Sequence, residues 1–109
     1  MPSTYKSPTP LSLETEGALN VFNVNQLRAG IIRDLSQHPE GDTTGNIARR
    51  LEVDYRQVYT HVRVLVTAGL VVTDSDAVIP NGRRVVYSLK PGALEEQAAI
   101  YFRYLSGES

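Results

Sequence analysis

Tyr55, Arg56, Gln57, Tyr59, Thr60 and Arg63 crowd one short stretch of the chain, and their side chains share one kind of chemistry. Two guanidinium groups, a carboxamide, a hydroxyl and two phenols offer directed hydrogen bonds, not a nucleophile with its base. An arginine matches the O6 and N7 edge of guanine, a glutamine the N6 and N7 edge of adenine, and a threonine either a phosphate or a thymine methyl. Tyrosines pack on sugars or donate to phosphate, contacts that position without reading sequence. On an arbitrary amphipathic helix the same residues would be a solvated face, so what surrounds them decides their use.

Val58, Val62 and Leu65, with Val66, recur at helical spacing and put the polar set on the outer half of a helix running to about Ala68. Asp54, followed three residues later by Gln57, is a capping-box pattern that opens this helix and gives Gln57 a local task competing with base reading. Gly69 closes it. Upstream, Asp42, Thr43 and Thr44 are N-cap candidates for a short helix over Gly45 to Leu51, with Ile47, Ala48 and Leu51 inward. Glu52-Val53 is then a tight turn between two helices, with Leu51 and Val53 as apolar anchors beneath it.

An earlier helix, from about Asn25 to Gln37, carries Leu27, Ile31, Ile32 and Leu35 at three- and four-residue spacing and stops at His38-Pro39-Glu40-Gly41. Downstream, Leu70 to Thr73 reads as a strand, Asn81-Gly82 as a turn, and Arg84 to Leu89 as the return strand of a hairpin. Pro91 suits the first turn of a last helix reaching about Ser106. The expected order is three helices, a two-stranded wing and a final helix, a mainly α fold with a small β-hairpin.

Composition narrows the field. A chain of 109 residues is the size of one domain and buries a core without disulfides or metal. It contains no cysteine, which removes disulfide frameworks, thiolate zinc sites and cysteine nucleophiles. The start, Met1 to Pro10, lacks the apolar core of a signal peptide and no stretch is long enough to span a membrane, so a cytoplasmic protein without a membrane partner is expected. Net charge is -1, and between Val24 and Lys90 nine Lys and Arg face seven acids. That slight basic excess predicts modest affinity for non-specific DNA. His38 and His61 have no matching acidic spacing for a metal, and Glu95-Glu96, adjacent on a helix, suits the positive end of a helix dipole better than paired acid-base work. No phosphate loop, nucleophile elbow or zinc-hydrolase motif is present, and neither an enzyme nor a cofactor is expected.

The runs Thr44-Gly45-Asn46-Ile47-Ala48-Arg49-Arg50-Leu51, Val58-Tyr59-Thr60-His61-Val62-Arg63-Val64-Leu65 with Ala68-Gly69-Leu70-Val71, and Gly82-Arg83-Arg84-Val85-Val86-Tyr87-Ser88-Leu89 together resemble an ArsR-type winged helix-turn-helix transcription regulator. The resemblance covers roughly Leu19 to Leu105. It implies a dimeric DNA-binding repressor whose first and last helices build the dimer contact, and it places Arg83 and Arg84 at the wing, near phosphate or the minor groove. Metal sensing does not carry over, because cysteine is absent and the last helix has no histidine. Asp74 and Asp76 put negative charge on a wing longer than the compact form.

The expectation is therefore a flexible arm over residues 1–12, a winged helix-turn-helix domain over 13–90, and a dimerisation helix with its tail over 91–109. DNA would be met by Thr44, Tyr55, Arg56, Gln57, Tyr59, Thr60, Arg63, Arg83 and Arg84, and a second copy of the chain by Leu94, Ala98, Tyr101, Phe102 and Leu105. The function expected is sequence-specific binding of double-stranded DNA by a homodimeric repressor. The alternative is a winged-helix module for protein partners with weak or no DNA binding, which the near-neutral charge and acidic wing favour. A small-molecule effector between the terminal helices is a further variant, and no residue names the ligand.

Overall fold

The computed structural model describes residues 5–74 and 85–108. Within them the order is α1 (Leu13–Val21), α2 (Gln26–Ser36), α3 (Thr44–Leu51), α4 (Tyr55–Thr67), β1 (Val71–Thr73), β2 (Tyr87–Leu89) and α5 (Ala93–Leu105). Four of the helices start where a short polar side chain accepts a first-turn N–H: Ser12 from Thr15, Asn25 from Arg28, Thr43 from Asn46 and Asp54 from Arg56. Each cap satisfies a donor that the helix itself leaves unpaired.

The core forms where the apolar stripes of three helices meet the base of the hairpin. Leu27, Ile31 and Leu35 of α2 pack with Ile47 and Ala48 of α3, with Val58, Val62 and Leu65 of α4, and with Leu70, Val71 and Tyr87. Burying a Leu, Ile or Val side chain contributes about 1.5–3 kcal/mol, which makes this cluster the main source of stability. Leu51 and Val53 lie half-buried against it, as the anchors expected under the turn. Thr43 is the N-cap of α3 among the three candidates, and Asp42 supports it by accepting the Thr43 N–H.

β1 and β2 pair antiparallel, with Val71 opposite Leu89 and Thr73 opposite Tyr87. Asp74 extends the ladder: its N–H donates to the Val86 carbonyl at 3.0 Å and its carboxylate accepts the Val86 N–H at 3.1 Å. On the other side of β2, Asp42 and Tyr87 exchange two backbone hydrogen bonds of 2.9 Å. Gly41 permits that approach. Its φ is 86°, and a Cβ there would stand 2.7 Å from the Tyr87 carbonyl oxygen. The loop before α3 is thereby stitched to the wing.

Three local expectations are corrected. α1 was not foreseen: Ser12 caps it and Glu14 and Glu16 favour its first turn, but it buries no residue, so there is no apolar stripe to read. Pro91 does not open the last helix. Lys90 to Ala93 form a turn closed by the Ala93 N–H on the Lys90 carbonyl, with Gly92 at φ 80° as the N-cap of α5, an arrangement of the type II kind that suits Pro-Gly. Leu70 lies outside β1, and Val85 and Val86 lie before β2, although the sequence suggested strand at all three. The Asn81-Gly82 turn, Arg83 and Arg84 lie outside the described residues.

Of the amino-terminal arm, residues 5–12 are described, and Tyr5 is anchored. Its ring packs on the core and its hydroxyl donates to the Leu51 carbonyl at 3.0 Å, with burial raising its pKa. No helix among the described residues is long and apolar enough to cross a membrane.

Candidate nucleic-acid interface

The turn between α3 and α4 is built without glycine. Glu52 adopts the left-handed conformation at φ 58°, the Val53 N–H reaches back to the Ala48 carbonyl at 3.1 Å, and the Glu52 N–H donates to Arg49. That six-to-one closure ends α3 within a single residue. Asp54 then starts α4 with its core side fixed by Val58, Val62 and Leu65, so Tyr55, Arg56, Gln57, Tyr59, Thr60 and Arg63 all stand exposed. The structure brings these six together on one projecting face. Thr44 joins them across a shallow concavity of about 350 Å³, lined also by Asn46, Arg49 and Tyr59.

Both exposed arginines of this face are already engaged. The Asp54 carboxylate accepts Nε of Arg56 at 3.2 Å and Nη2 at 3.0 Å, and also the Arg56 backbone N–H at 2.8 Å. These hydrogen bonds push the Asp54 carboxyl below its ordinary pKa and the guanidinium above its own. Arg63 donates from Nη1 to the Tyr59 hydroxyl at 2.9 Å, its guanidinium carbon 5.7 Å from the centre of that ring. Thr60 turns its hydroxyl back onto the Arg56 carbonyl. The expected capping box is only half present: Asp54 caps through Arg56, and the Gln57 side chain makes no hydrogen bond among the described residues. Gln57 is released from the local task the sequence suggested.

Between α2, α3 and the loop that joins them lies an ionic brace that periodicity does not expose. Arg50 of α3 makes a two-point pair with Asp34 of α2, at 2.9 Å from Nε and 2.8 Å from Nη2, and reaches Asp42 at 2.8 Å from Nη1. Its pKa rises chiefly through the Asp34 hydrogen bonds. Burial alone would raise the Asp42 carboxyl, but donors from Asn46, Arg50 and the Thr43 N–H bring it down to about 2. His38 donates its Nδ1–H to the Asp34 carbonyl at 2.7 Å, which closes the end of α2. On the opposite side of α4, His61 accepts Nε of Arg28 at 3.0 Å on Nδ1, with burial and then the Arg28 charge lowering its pKa. His61 thus packs beside the helix core, joining α2 to α4.

The stripe on α5 divides. Leu94 packs against the chain's own core, Ala98 is half-buried, and Tyr101, Phe102 and Leu105 are exposed together with Ile100 and Tyr104. Phe22, just past α1, meets Tyr101 edge-on at 5.9 Å. The C-cap residue of α1 thus joins the aromatic surface of α5.

Residues 25–74 match the family model of a helix-turn-helix domain. Among solved structures, the chain is similar to a mutant of S. aureus MepR bound to an oligodeoxyribonucleotide, with 20% identity and a TM-score of 0.59 over 86% of this chain and 69% of that one. It is similar also to a MarR family protein of Mycobacterium tuberculosis in complex with salicylic acid, with 26% identity and a TM-score of 0.52 over 86% and 69% of the two chains. No curated protein matches its sequence. The chain thus has a winged helix-turn-helix fold, with residues 25–74 similar to a helix-turn-helix domain.

Proposed function

We propose that the chain is a sequence-specific regulator of transcription that binds double-stranded DNA as a homodimer and represses by occluding a promoter. The observation that carries this is the outer face of α4, where six side chains suited to bases and phosphates stand exposed on a helix braced by α3. The major groove admits one such helix, and the preceding helix crosses the backbone. Thr44, Tyr55, Arg56, Gln57, Tyr59, Thr60 and Arg63 form the proposed contact set, and Arg83 and Arg84, outside the described residues, are added to it from the sequence resemblance as contacts to phosphate or the minor groove. The three sequence runs quoted above support the finer assignment to the ArsR type.

The homodimer rests on α1 and α5. Tyr101, Phe102 and Leu105, with Ile100, Tyr104 and Phe22, form an exposed apolar surface larger than scattered single residues. A two-fold copy covers it with the same residues from each side, and presents two copies of α4 one DNA turn apart. Leu94 and Ala98 sit at the inner end of this surface.

Selection of bound duplexes from a random pool tests the function. A palindromic motif with clear preference over a scrambled duplex at two salt concentrations is the expected result, its half-site spacing reporting the dimer. Weak, salt-sensitive binding with no motif would overturn the proposal and direct attention to protein partners. Sedimentation at micromolar concentration tests the dimer, and a monomer would remove it.

A further inference from the structure

Asp54 spends its carboxylate on a neighbour that is expected to face DNA, and the geometry of that pair has a consequence for how Arg56 reads. The side-on edge of the guanidinium, Nε and Nη2, is taken by the two Asp54 oxygens. The end-on edge, Nη1 with the second proton of Nη2, presents two parallel donors that no partner takes among the described residues, on a side chain 77% exposed. Two parallel N–H groups are what the O6 and N7 atoms of guanine accept. Asp54 cannot drift, because the same carboxylate is held by the Arg56 backbone N–H at 2.8 Å as the helix cap. The arginine is thus clamped through a carboxylate that is itself fixed to the backbone.

We infer that Asp54 is a positioning residue for DNA reading: it orients Arg56 so that its free edge selects a guanine in each half-site, and by neutralising the charge it keeps Arg56 from serving as a general phosphate contact. The inference rests on the DNA-binding function proposed above and names the specificity of that site. The pair carries no net charge, so an attraction common to all sequences is given up while the directed hydrogen bonds are kept. In a chain whose net charge is -1, selectivity then has to come from such contacts rather than from general attraction to phosphate.

The test uses the full chain with the duplex selected above, a duplex with the guanine replaced, and a scrambled duplex. Arg56→Lys first identifies the base position that Arg56 reads, since lysine keeps the charge and loses the fork. Asp54→Asn and Asp54→Ser both retain a good N-cap acceptor and remove the carboxylate. The expected result for both is an unchanged unfolding midpoint, a preference for guanine at that position reduced about tenfold, tighter binding to the scrambled duplex, and a salt dependence steeper by about one released ion. Guanine preference retained in both variants overturns the inference, as does a base other than guanine at the Arg56 position. Loss of affinity in parallel with loss of stability also overturns it, because it makes Asp54 a cap and nothing more. A wild-type chain that selects no motif removes the DNA-binding function itself and this inference with it, an outcome recognisable before any variant is made.

Discussion

Arg50–Asp34 and Arg56–Asp54 are the same chemical pair in two environments. Each closes through Nε and Nη2 onto two carboxylate oxygens, at 2.9 and 2.8 Å in the first and 3.2 and 3.0 Å in the second. The Asp34 side chain is only 7% exposed, whereas those of Asp54 and Arg56 are 45% and 77% exposed. In the first pair a buried carboxylate depends on its partner, and two residues sixteen positions apart tie α2 and α3 into one brace. In the second, water screens the attraction, so the pair contributes little to folding and leaves the end-on hydrogen-bonding edge of Arg56 available. Identical bonds serve architecture where water is excluded and presentation where it is not.

The largest effect expected from breaking this contrast is at the brace. Arg50→Ala removes the two-point partner of the buried Asp34 and leaves only His38 Nδ1 at 3.9 Å, and should lower stability by about 3 kcal/mol in urea unfolding, the lower part of the range for broken buried pairs because water reaches the arginine. Arg56→Ala should leave the unfolding midpoint in place and weaken binding to the selected duplex ten- to a hundredfold while sparing the scrambled one. A double-mutant cycle should give a clear coupling for Arg50 with Asp34 and none resolvable for Arg56 with Asp54 in unfolding.

Acid titration sharpens the same contrast. Asp42, part of the brace, falls from an ordinary 3.8 to about 2 on folding, so its contribution is full above pH 3.8 and disappears as pH falls through 2. The thermal midpoint should drop across that window, and Asp42→Asn should flatten the drop. The smallest effect is expected at the turn joining the two arginine-bearing helices. Glu52 pays the left-handed penalty that glycine avoids, so Glu52→Gly should raise stability by up to about 1 kcal/mol with DNA affinity unchanged.

What the sequence disclosed follows from what periodicity measures. Val58, Val62 and Leu65 announce an inward face, and the outward position of Tyr55, Arg56, Tyr59 and Arg63 follows from it by geometry. Spacing says nothing about which charged residue from a distant element will meet a given one, so the Arg50–Asp34 and Arg28–His61 contacts were not legible. Asp54 was read as half of a box with Gln57. Of the two residues between them, Arg56 is the partner, and the signal is an aspartate two positions before an arginine at a helix start. α1 escaped because a helix that buries nothing within its own chain leaves no stripe. Pro91 was misplaced because a proline followed by glycine serves a type II turn as well as a first helical turn.

Tyr5 has a practical consequence for watching this molecule. The chain contains no tryptophan, so its near-ultraviolet emission holds no indole signal. Tyr5 lies half-buried with its hydroxyl on the carbonyl of Leu51, the last residue of α3 before the turn. An indole N–H can donate to that carbonyl as the phenol does. Tyr5→Trp would therefore install a single indole, excitable at wavelengths the remaining tyrosines do not absorb, at the joint between the two helices, where a change in its colour or quenching would report the joint loosening or tightening as DNA is bound.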